Sequence, residues 1–342
     1  DFFPSEFLQK HKLVSRYEAL HWIHFADKEK DVKRAIYRLK FDEHFFLQLL
    51  MALKKESNCR VGTKPLDKTG PHVKLIYDQL NFELTDAQNR VLKEIRTDLG
   101  KPITMNRLLQ GDVGSGKTIV AVLAAAIAIG NNVQIAVMAP TEILVHQHYE
   151  SFKTFSEIGE ITCAILVGDT KEGERKKVID ALKTGRIDLI VGTHALIQKD
   201  IEFKNLGLVI VDEQHRFGVA QRGDLVEKGL NPHFLAMTAT PIPRTLAITY
   251  HGDMDLSIID ELPKHRKPVI TKKIGPERLK NVYNFMNNEV SKGRQCMIVY
   301  PLVEETEKSD LTAAVEGYET LSRTAFTDVN VGLIHGRMKK EE

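Results

Sequence analysis

Gly111-Asp112-Val113-Gly114-Ser115-Gly116-Lys117-Thr118 follows the apolar pair Leu108-Leu109 and runs into an uninterrupted apolar stretch from Ile119 to Ile129. The eight residues fit G-x-x-x-x-G-K-[ST] between a short strand and a helix, which is the setting a phosphate-binding loop needs. The glycines allow backbone geometries closed to other residues, so successive N–H groups can face phosphate oxygens. A helix N-terminus behind them adds partial positive charge. Lys117 is then placed to reach the β- and γ-phosphates of ATP, and the Thr118 hydroxyl to hold Mg²⁺. Taken alone, the loop also reads as a glycine-rich turn without a ligand.

Outward from this loop, short apolar runs alternate with stretches long enough for helices. The runs are Val133 to Ala139, Ile161 to Val167, Asp188 to Val191, Leu206 to Val211 and Phe234 to Met237. They are nearly continuous in Val, Ile, Leu and Ala, as strands buried on both faces are. Thr118 to Ile129, Thr141 to Phe155 and Lys171 to Leu182 fill the gaps as helices. The alternation predicts an α/β domain with a parallel sheet covered by helices on both faces. In such sheets ligands sit at the carboxyl ends of the strands.

That rule singles out Leu208-Val209-Ile210-Val211-Asp212-Glu213, an apolar strand ending in two acids. Beside the phosphate loop, Asp212 would hold Mg²⁺ and Glu213 would orient the attacking water. Without the loop, the pair reads equally as a helix cap and a surface acid. Gln88, in Leu84-Thr85-Asp86-Ala87-Gln88, has an amide that can read an adenine edge; on its own it is a solvated helix residue. Thr238 and Thr240, in Thr238-Ala239-Thr240-Pro241, can hydrogen-bond the Asp212-Glu213-Gln214-His215 cluster and link hydrolysis to domain movement, which makes His215 a coupling residue as well.

The ordered set resembles superfamily 2 helicases. It comprises Gln88, the phosphate loop, Ala139-Pro140-Thr141-Glu142, Val191-Gly192-Thr193-His194, Asp212-Glu213-Gln214-His215 and Thr238-Ala239-Thr240-Pro241. Within them the chain is most similar to the RecG family of bacterial branched-DNA helicases. The strings that carry this are Asp212 to Val219, Thr238 to Leu246 and Ile259-Asp260-Glu261-Leu262-Pro263. The transcription-repair coupling translocases share Arg216 to Val219 and Thr238 to Arg244, and are the alternative within DNA motors. A non-catalytic nucleotide-binding module is the alternative outside them.

The resemblance implies a RecA-like motor domain, ATP and Mg²⁺ as cofactors, and forks and Holliday junctions as DNA partners. It also implies contact with single-stranded-DNA-binding protein and a bacterial cytoplasm beside the nucleoid. It assigns DNA contacts to Pro140, Thr141, Thr193, His194 and, in His335-Gly336-Arg337-Met338, to Arg337. Backbone amides and hydroxyls at such strand ends suit phosphate oxygens and carry no sequence information; each threonine also fits an ordinary helix cap.

The 342 residues suggest about two domains. Residues 1–80 are expected to be a helical linker segment, with Ile36, Leu39, Phe46, Leu49, Leu50 and Leu53 at helical spacing and a loop from Cys59 to Pro71. Residues 81–260 are expected to be the first motor domain. Residues 261–342 open with the basic linker Lys264-His265-Arg266-Lys267 and restart the alternation, with helices over Pro276 to Lys292 and Glu304 to Ala325. Strands are expected at Gln295 to Tyr300 and Val329 to Ile334, as an incomplete second RecA-like domain. Unpaired edges there would favour association.

The sequence does not begin with Met and contains no Gln-x-x-Gly-Arg-x-Gly-Arg string, which in the family supplies the second domain's arginines. The expectation is a central fragment that lacks the junction-splitting wedge and is weakly active or inactive by itself. Forty-eight basic against 46 acidic residues give a net charge of +2, too balanced for a histone-like mode of DNA binding. Cys59, Cys163 and Cys296 are far apart and form no CxxC pair, so neither a zinc site nor a disulfide framework is indicated. The longest apolar run is 11 residues, too short to span a bilayer.

Overall fold

A computed structural model describes residues 1–58, 63–213, 217, 219–240, 254–263, 269–300, 307–335 and 338. They fall into two compact units, Asp1–Arg266 and Lys267–Glu342.

The first unit opens with three helices, α1 (Ser5–Lys10), α2 (Arg16–Phe25) and α3 (Glu29–Asn58). The helical spacing from Ile36 to Leu53 lies within the single 30-residue helix α3. Arg38, fully buried, binds Asp1 and Asp42 and donates to the Val14 carbonyl at 2.5 Å. Its guanidinium lies 5.1 Å from the Phe3 ring, and Phe3 clusters with Phe7, Phe41 and Phe45, ring centroids 4.7–6.4 Å apart. Next comes α4 (Gly70–Asp78), which takes over the end of the expected loop. Pro71 occupies a first-turn position, where its missing N–H costs nothing, so a residue read as a loop signal in fact opens a helix.

The α/β part then runs α5 (Asp86–Leu99), β1 (Asn106–Gly111), α6 (Lys117–Ile129), β2 (Gln134–Met138), α7 (Glu142–Gly159), β3 (Cys163–Leu166), α8 (Glu172–Thr184), β4 (Leu189–Gly192), β5 (Leu206–Val211), α9 (Val219–Val226), β6 (His233–Thr238) and β7 (Asp255–Ile259). The seven strands form one sheet in the order β3-β4-β2-β5-β6-β1-β7, and every pairing is parallel. Side chains alternate between two cores. Ile135, Val137, Leu208 and Ile210 face one, with α5 and α6; Ala136, Met138, Val209 and Val211 face the other. Burial on both faces is why these strands read as continuous apolar runs.

Edge strand β7 is held by a buried ion-pair network. Arg107 of β1, 8% exposed, donates to Asp98 of α5 at 2.9 and 2.5 Å, to Glu94 at 3.0 Å and to Ser257 of β7 at 2.6 Å. Burial pushes the Asp98 carboxyl up, but Lys101 and Arg107 outweigh it and hold it below the ordinary value.

His233 at the start of β6 is 1% exposed, and its Nδ1 accepts the Met105 N–H at 3.0 Å. Burial, only partly offset by the Lys64 backbone and the Asp98 charge, pushes its pKa down from 6.5 to about 4. Above about pH 6.5 the ring is neutral in both folded and unfolded chains and adds no pH dependence. Between 6.5 and 4 only the unfolded chain takes up the proton, so stability falls as pH drops, by at most about 3 kcal/mol. Urea midpoints at pH 7 and pH 4.5 should therefore converge in His233→Asn relative to the unsubstituted chain.

The second unit has a short turn of 3-10 helix (Pro276–Arg278) and helices Leu279–Ser291 and Glu307–Thr324. Tyr283 meets Phe326 edge-on at 5.6 Å, and Asn287 Nδ2 donates to the Ala325 carbonyl at 2.8 Å. The strands expected at Gln295 to Tyr300 and Val329 to Ile334 are not formed: among the described residues of this unit no strand is present. A strand exists through its ladder with a neighbour, and neither run has one. Met297 and Val299 are left 86% and 83% exposed.

Candidate functional site

Because every strand is parallel, all carboxyl ends open on one edge of the sheet. Along it, β4 and β2 lead into Thr193-His194 and Pro140-Thr141. Further on, β5, β6 and β1 lead into Asp212-Glu213, Thr238 to Thr240, and the phosphate loop. Four strand spacings separate β4 from β1, about 19 Å. One half of the edge thus carries the residues expected to touch DNA, and the other those expected to hold a nucleotide.

The phosphate loop leaves β1 at Gly111 and enters α6 at Lys117. Gly114 and Gly116 lie at φ 77° and 87°, left-handed conformations that favour glycine. A Cβ on Gly116 would stand 2.2 Å from Gln88 Nε2. Gly116→Ala should therefore cost at least tenfold in nucleotide affinity, checked by equilibrium binding, through a displaced loop or Gln88 side chain.

Lys117 Nζ donates to the Gly111 and Asp112 carbonyls at 2.7 and 3.0 Å. Burial pushes the Lys117 ammonium pKa down, while the charges of Asp212, Glu213 and Asp112 push it up; burial prevails. Ser115 is 1% exposed, and its Oγ is buried with no hydrogen-bond partner. Thr118 is half-buried in the first turn of α6.

Gln88 is 2% exposed and does not project into open space. Its Oε1 accepts the Thr85 N–H at 2.9 Å, completing a capping box at the start of α5, and its Nε2 donates to the Ser115 carbonyl at 2.8 Å. The amide read as a free base contact is a strut between α5 and the loop. The same helix start is gripped from the other end of the domain. The Ala87 N–H donates to Glu261 at 3.0 Å, and Arg90 donates to Asp260 at 2.8 Å and to the Ile258 carbonyl at 2.9 Å. Asp260 and Glu261 directly follow β7, and their string Ile259 to Pro263 carried the family likeness without suggesting this role.

At the end of β5, the Asp212 N–H donates to the Met138 carbonyl at 2.9 Å, and its Oδ2 lies 2.7 Å from His148 Nε2 of α7. Glu213 sits at φ 49°, the left-handed region for a non-glycine residue, a strain typical of functional positions. Thr238 Oγ1 and Thr240 Oγ1 are 2.8 Å apart, and the Thr240 N–H also donates to Thr238 Oγ1. His215, Gln214 and Arg216 lie outside the described residues, as do Pro241 to Leu246, the basic linker Lys264 to Lys267, and Gly336-Arg337.

On the other half of the edge, Thr141 is exposed and caps α7 by accepting the Leu144 N–H at 3.3 Å, beside half-buried Pro140. His194 is exposed. Thr193 corrects the expectation of a direct contact. It is 3% exposed, its hydroxyl accepts the Ala195 N–H at 3.4 Å, and its own N–H is spent on the Leu166 carbonyl at 3.3 Å. Its backbone N–H is thus committed, and its hydroxyl, the donor that remains, is buried.

The cradle fits a nucleoside triphosphate with Mg²⁺. It offers two left-handed glycines, a helix N-terminus, a lysine between three acids, and a buried hydroxyl without a partner. His148 was missed at the sequence level. The available signal was its spacing with Val145 and Phe152, which puts it on the core side of α7.

The DEAD/DEAH box helicase family matches residues 85–248. The ATP-dependent DNA helicase RecG of Synechocystis is 45% identical over 340 residues, 99% of this chain and 41% of that protein. RecG of Streptococcus pneumoniae is 46% identical over 99% of this chain and 50% of its own length, and RecG of Thermotoga maritima 45% over 99% and 44%. The chain thus spans half the length or less of these relatives. A structure of RecG bound to a three-way DNA junction superposes with a TM-score of 0.79 at 41% identity, over 95% of this chain and 43% of that one. Mss116p bound to ssRNA and AMP-PNP, at 15% identity and a TM-score of 0.56 over 82% of this chain, shares the fold. With the helicase fold and this likeness along nearly its whole length, the chain belongs to the RecG family of DEAD/DEAH box helicases.

Proposed function

We propose that this chain forms the nucleotide-hydrolysing part of an ATP-dependent motor that moves on branched DNA, reversing forks and migrating Holliday junctions. One observation carries the reading. The residues suited to a triphosphate and those suited to a DNA backbone share a single edge of one rigid sheet. Residues 81–260 act as the first motor domain and 1–80 as the helical segment that braces it. Residues 261–342 are the linker and the opening of the second motor domain.

In this reading the loop amides of Gly114, Ser115 and Gly116 surround the phosphates. Lys117 exchanges its two carbonyl partners for β- and γ-phosphate oxygens, a stronger, charge-assisted bond. Thr118 and Asp212 hold Mg²⁺, which when bound neutralises charge on the β- and γ-oxygens. Glu213, pre-set by its strained backbone, orients the attacking water. Gln88 and Gly111 fix the loop's two ends. Thr238, Thr240 and His215 relay the state of the acids toward the second motor domain. Pro140, Thr141, His194 and Arg337 meet phosphates, with Thr193 in support. The likeness extends the proposal to single-stranded-DNA-binding protein as a partner and to the bacterial cytoplasm. No helix among the described residues is long and apolar enough to cross a membrane.

The test is MgATP binding and turnover by the chain with and without a three-way junction. Weak but measurable MgATP binding with slow turnover is expected, since no second-domain arginine signature is in the sequence. Junction binding should weaken steeply with salt, with a log–log slope of about −0.9 per phosphate neutralised, and should ignore base sequence. Affinity indifferent to salt would exclude the DNA half of the proposal, and absent MgATP binding the other half.

A further inference from the structure

His148 is the buried polar side chain nearest the acids that the proposed mechanism leaves unused. It is 7% exposed, on the core side of α7, and its Nε2 stands 2.7 Å from Oδ2 of Asp212, itself 9% exposed. A carboxylate oxygen can only accept, so the ring donates. A histidine on an apolar helix face is most often satisfied by whatever carbonyl lies nearby. Here the partner is the acid at the end of β5, beside the phosphate loop. Asp212 is also held through its backbone N–H, which donates to the Met138 carbonyl. The His148 bond removes the carboxylate's freedom to rotate about its side-chain torsions. Carboxylates that hold metals are oriented by such outer partners, whose loss typically costs about 10- to 100-fold in metal affinity. His148 also lies seven residues beyond Thr141 on the same helix, about 10 Å along its axis. The orienting group is thus built on a rigid element.

We propose that His148 is a positioning residue that sets the Asp212 carboxylate for Mg²⁺, so that magnesium–nucleotide affinity depends on α7. The inference rests on the reading of Asp212 as the Mg²⁺ carboxylate.

The experiment titrates Mg²⁺ into the 342-residue chain with a fluorescent ADP. It is repeated with Mn²⁺, whose protein-bound fraction is read by electron paramagnetic resonance. The chains compared are the unsubstituted one, His148→Ala and His148→Gln, with nucleotide affinity in EDTA as the control for an intact loop. His148→Ala should raise the Mg²⁺ concentration at half-saturation about tenfold or more, with the EDTA affinity unchanged. His148→Gln, whose amide N–H reaches a similar point, should recover most of the loss. Two results would overturn the proposal while leaving the nucleotide site standing. One is an unaltered Mg²⁺ midpoint in His148→Ala. The other is equal loss in both variants together with lowered EDTA affinity, the mark of a merely structural residue. If the unsubstituted chain shows no Mg²⁺-dependent nucleotide binding, the nucleotide-site reading itself fails and the proposal with it.

Discussion

Replacing Lys117 with alanine is expected to lower MgATP affinity about 10- to 100-fold, from the loss of a charge-assisted bond of about 1.5–3 kcal/mol. ATP turnover should fall by about 10²- to 10³-fold or more, the usual cost of removing a preorganised donor from developing charge. The ammonium is the positive group that the charges of Asp112, Asp212 and Glu213 all act upon. At an effective dielectric of about 20, one unit charge 4 Å from another is worth about 4 kcal/mol. Without the lysine, three acids would meet an incoming triphosphate. Its two bonds to loop carbonyls are offset by the burial that pushes its pKa down, so the melting temperature should move much less than turnover. Phosphate release and a thermal melt on the same preparation separate the two effects. A variant that retains turnover would remove the loop from the chemistry.

The second large effect falls on stability. Arg107→Ala should destabilise the first unit by up to about 3–5 kcal/mol, because it leaves buried Asp98 with Lys101 as its remaining cation and takes the shared cation from Glu94 and Ser257. At about 2–4 °C per kcal/mol, the melting temperature should drop by about 10 °C. The loss arises from uncompensated charge rather than from the pair's intrinsic worth. Arg107→Leu combined with Asp98→Leu should therefore be markedly more stable than Arg107→Ala alone, the signature of a coupled pair. Because the network pins β7, which continues into Asp260 and Glu261, the single variant should also expose this end of the domain to proteolysis before the rest melts.

Much of this was legible in the residues. β5 was bounded at Leu206 and Val211, because a strand buried on both faces is written as an unbroken apolar run. The loop was legible because its chemistry demands glycine and lysine at fixed spacing. β7 was not, since Asp255-Leu256-Ser257-Ile258-Ile259 is a short edge strand whose central serine is turned in to serve Arg107. The runs near Met297 and Ile334 show the opposite failure, where apolar content suggested strands that no ladder pairs. His148 and Glu261 escaped because their meaning lies in partners 64 and 174 residues away, which no local pattern encodes.

Strand β1 lies between β6 and β7, and Leu108 pairs with Ala236 and Leu256. Those neighbours follow it in the chain by 236 − 108 = 128 and 256 − 108 = 148 residues. A nascent chain emerging from the ribosome therefore carries the phosphate loop long before either flanking strand exists. Until residue 238 has been synthesised, β1 has no complete neighbour on either side, and until residue 259 it still lacks β7, so Gln88 has no settled loop to brace. Closing loops of this length before contacts repay the entropy makes for slow, late assembly. The nucleotide cradle is thus among the last parts of the domain to mature, and a chain cut anywhere before β7 should emerge unable to retain ATP.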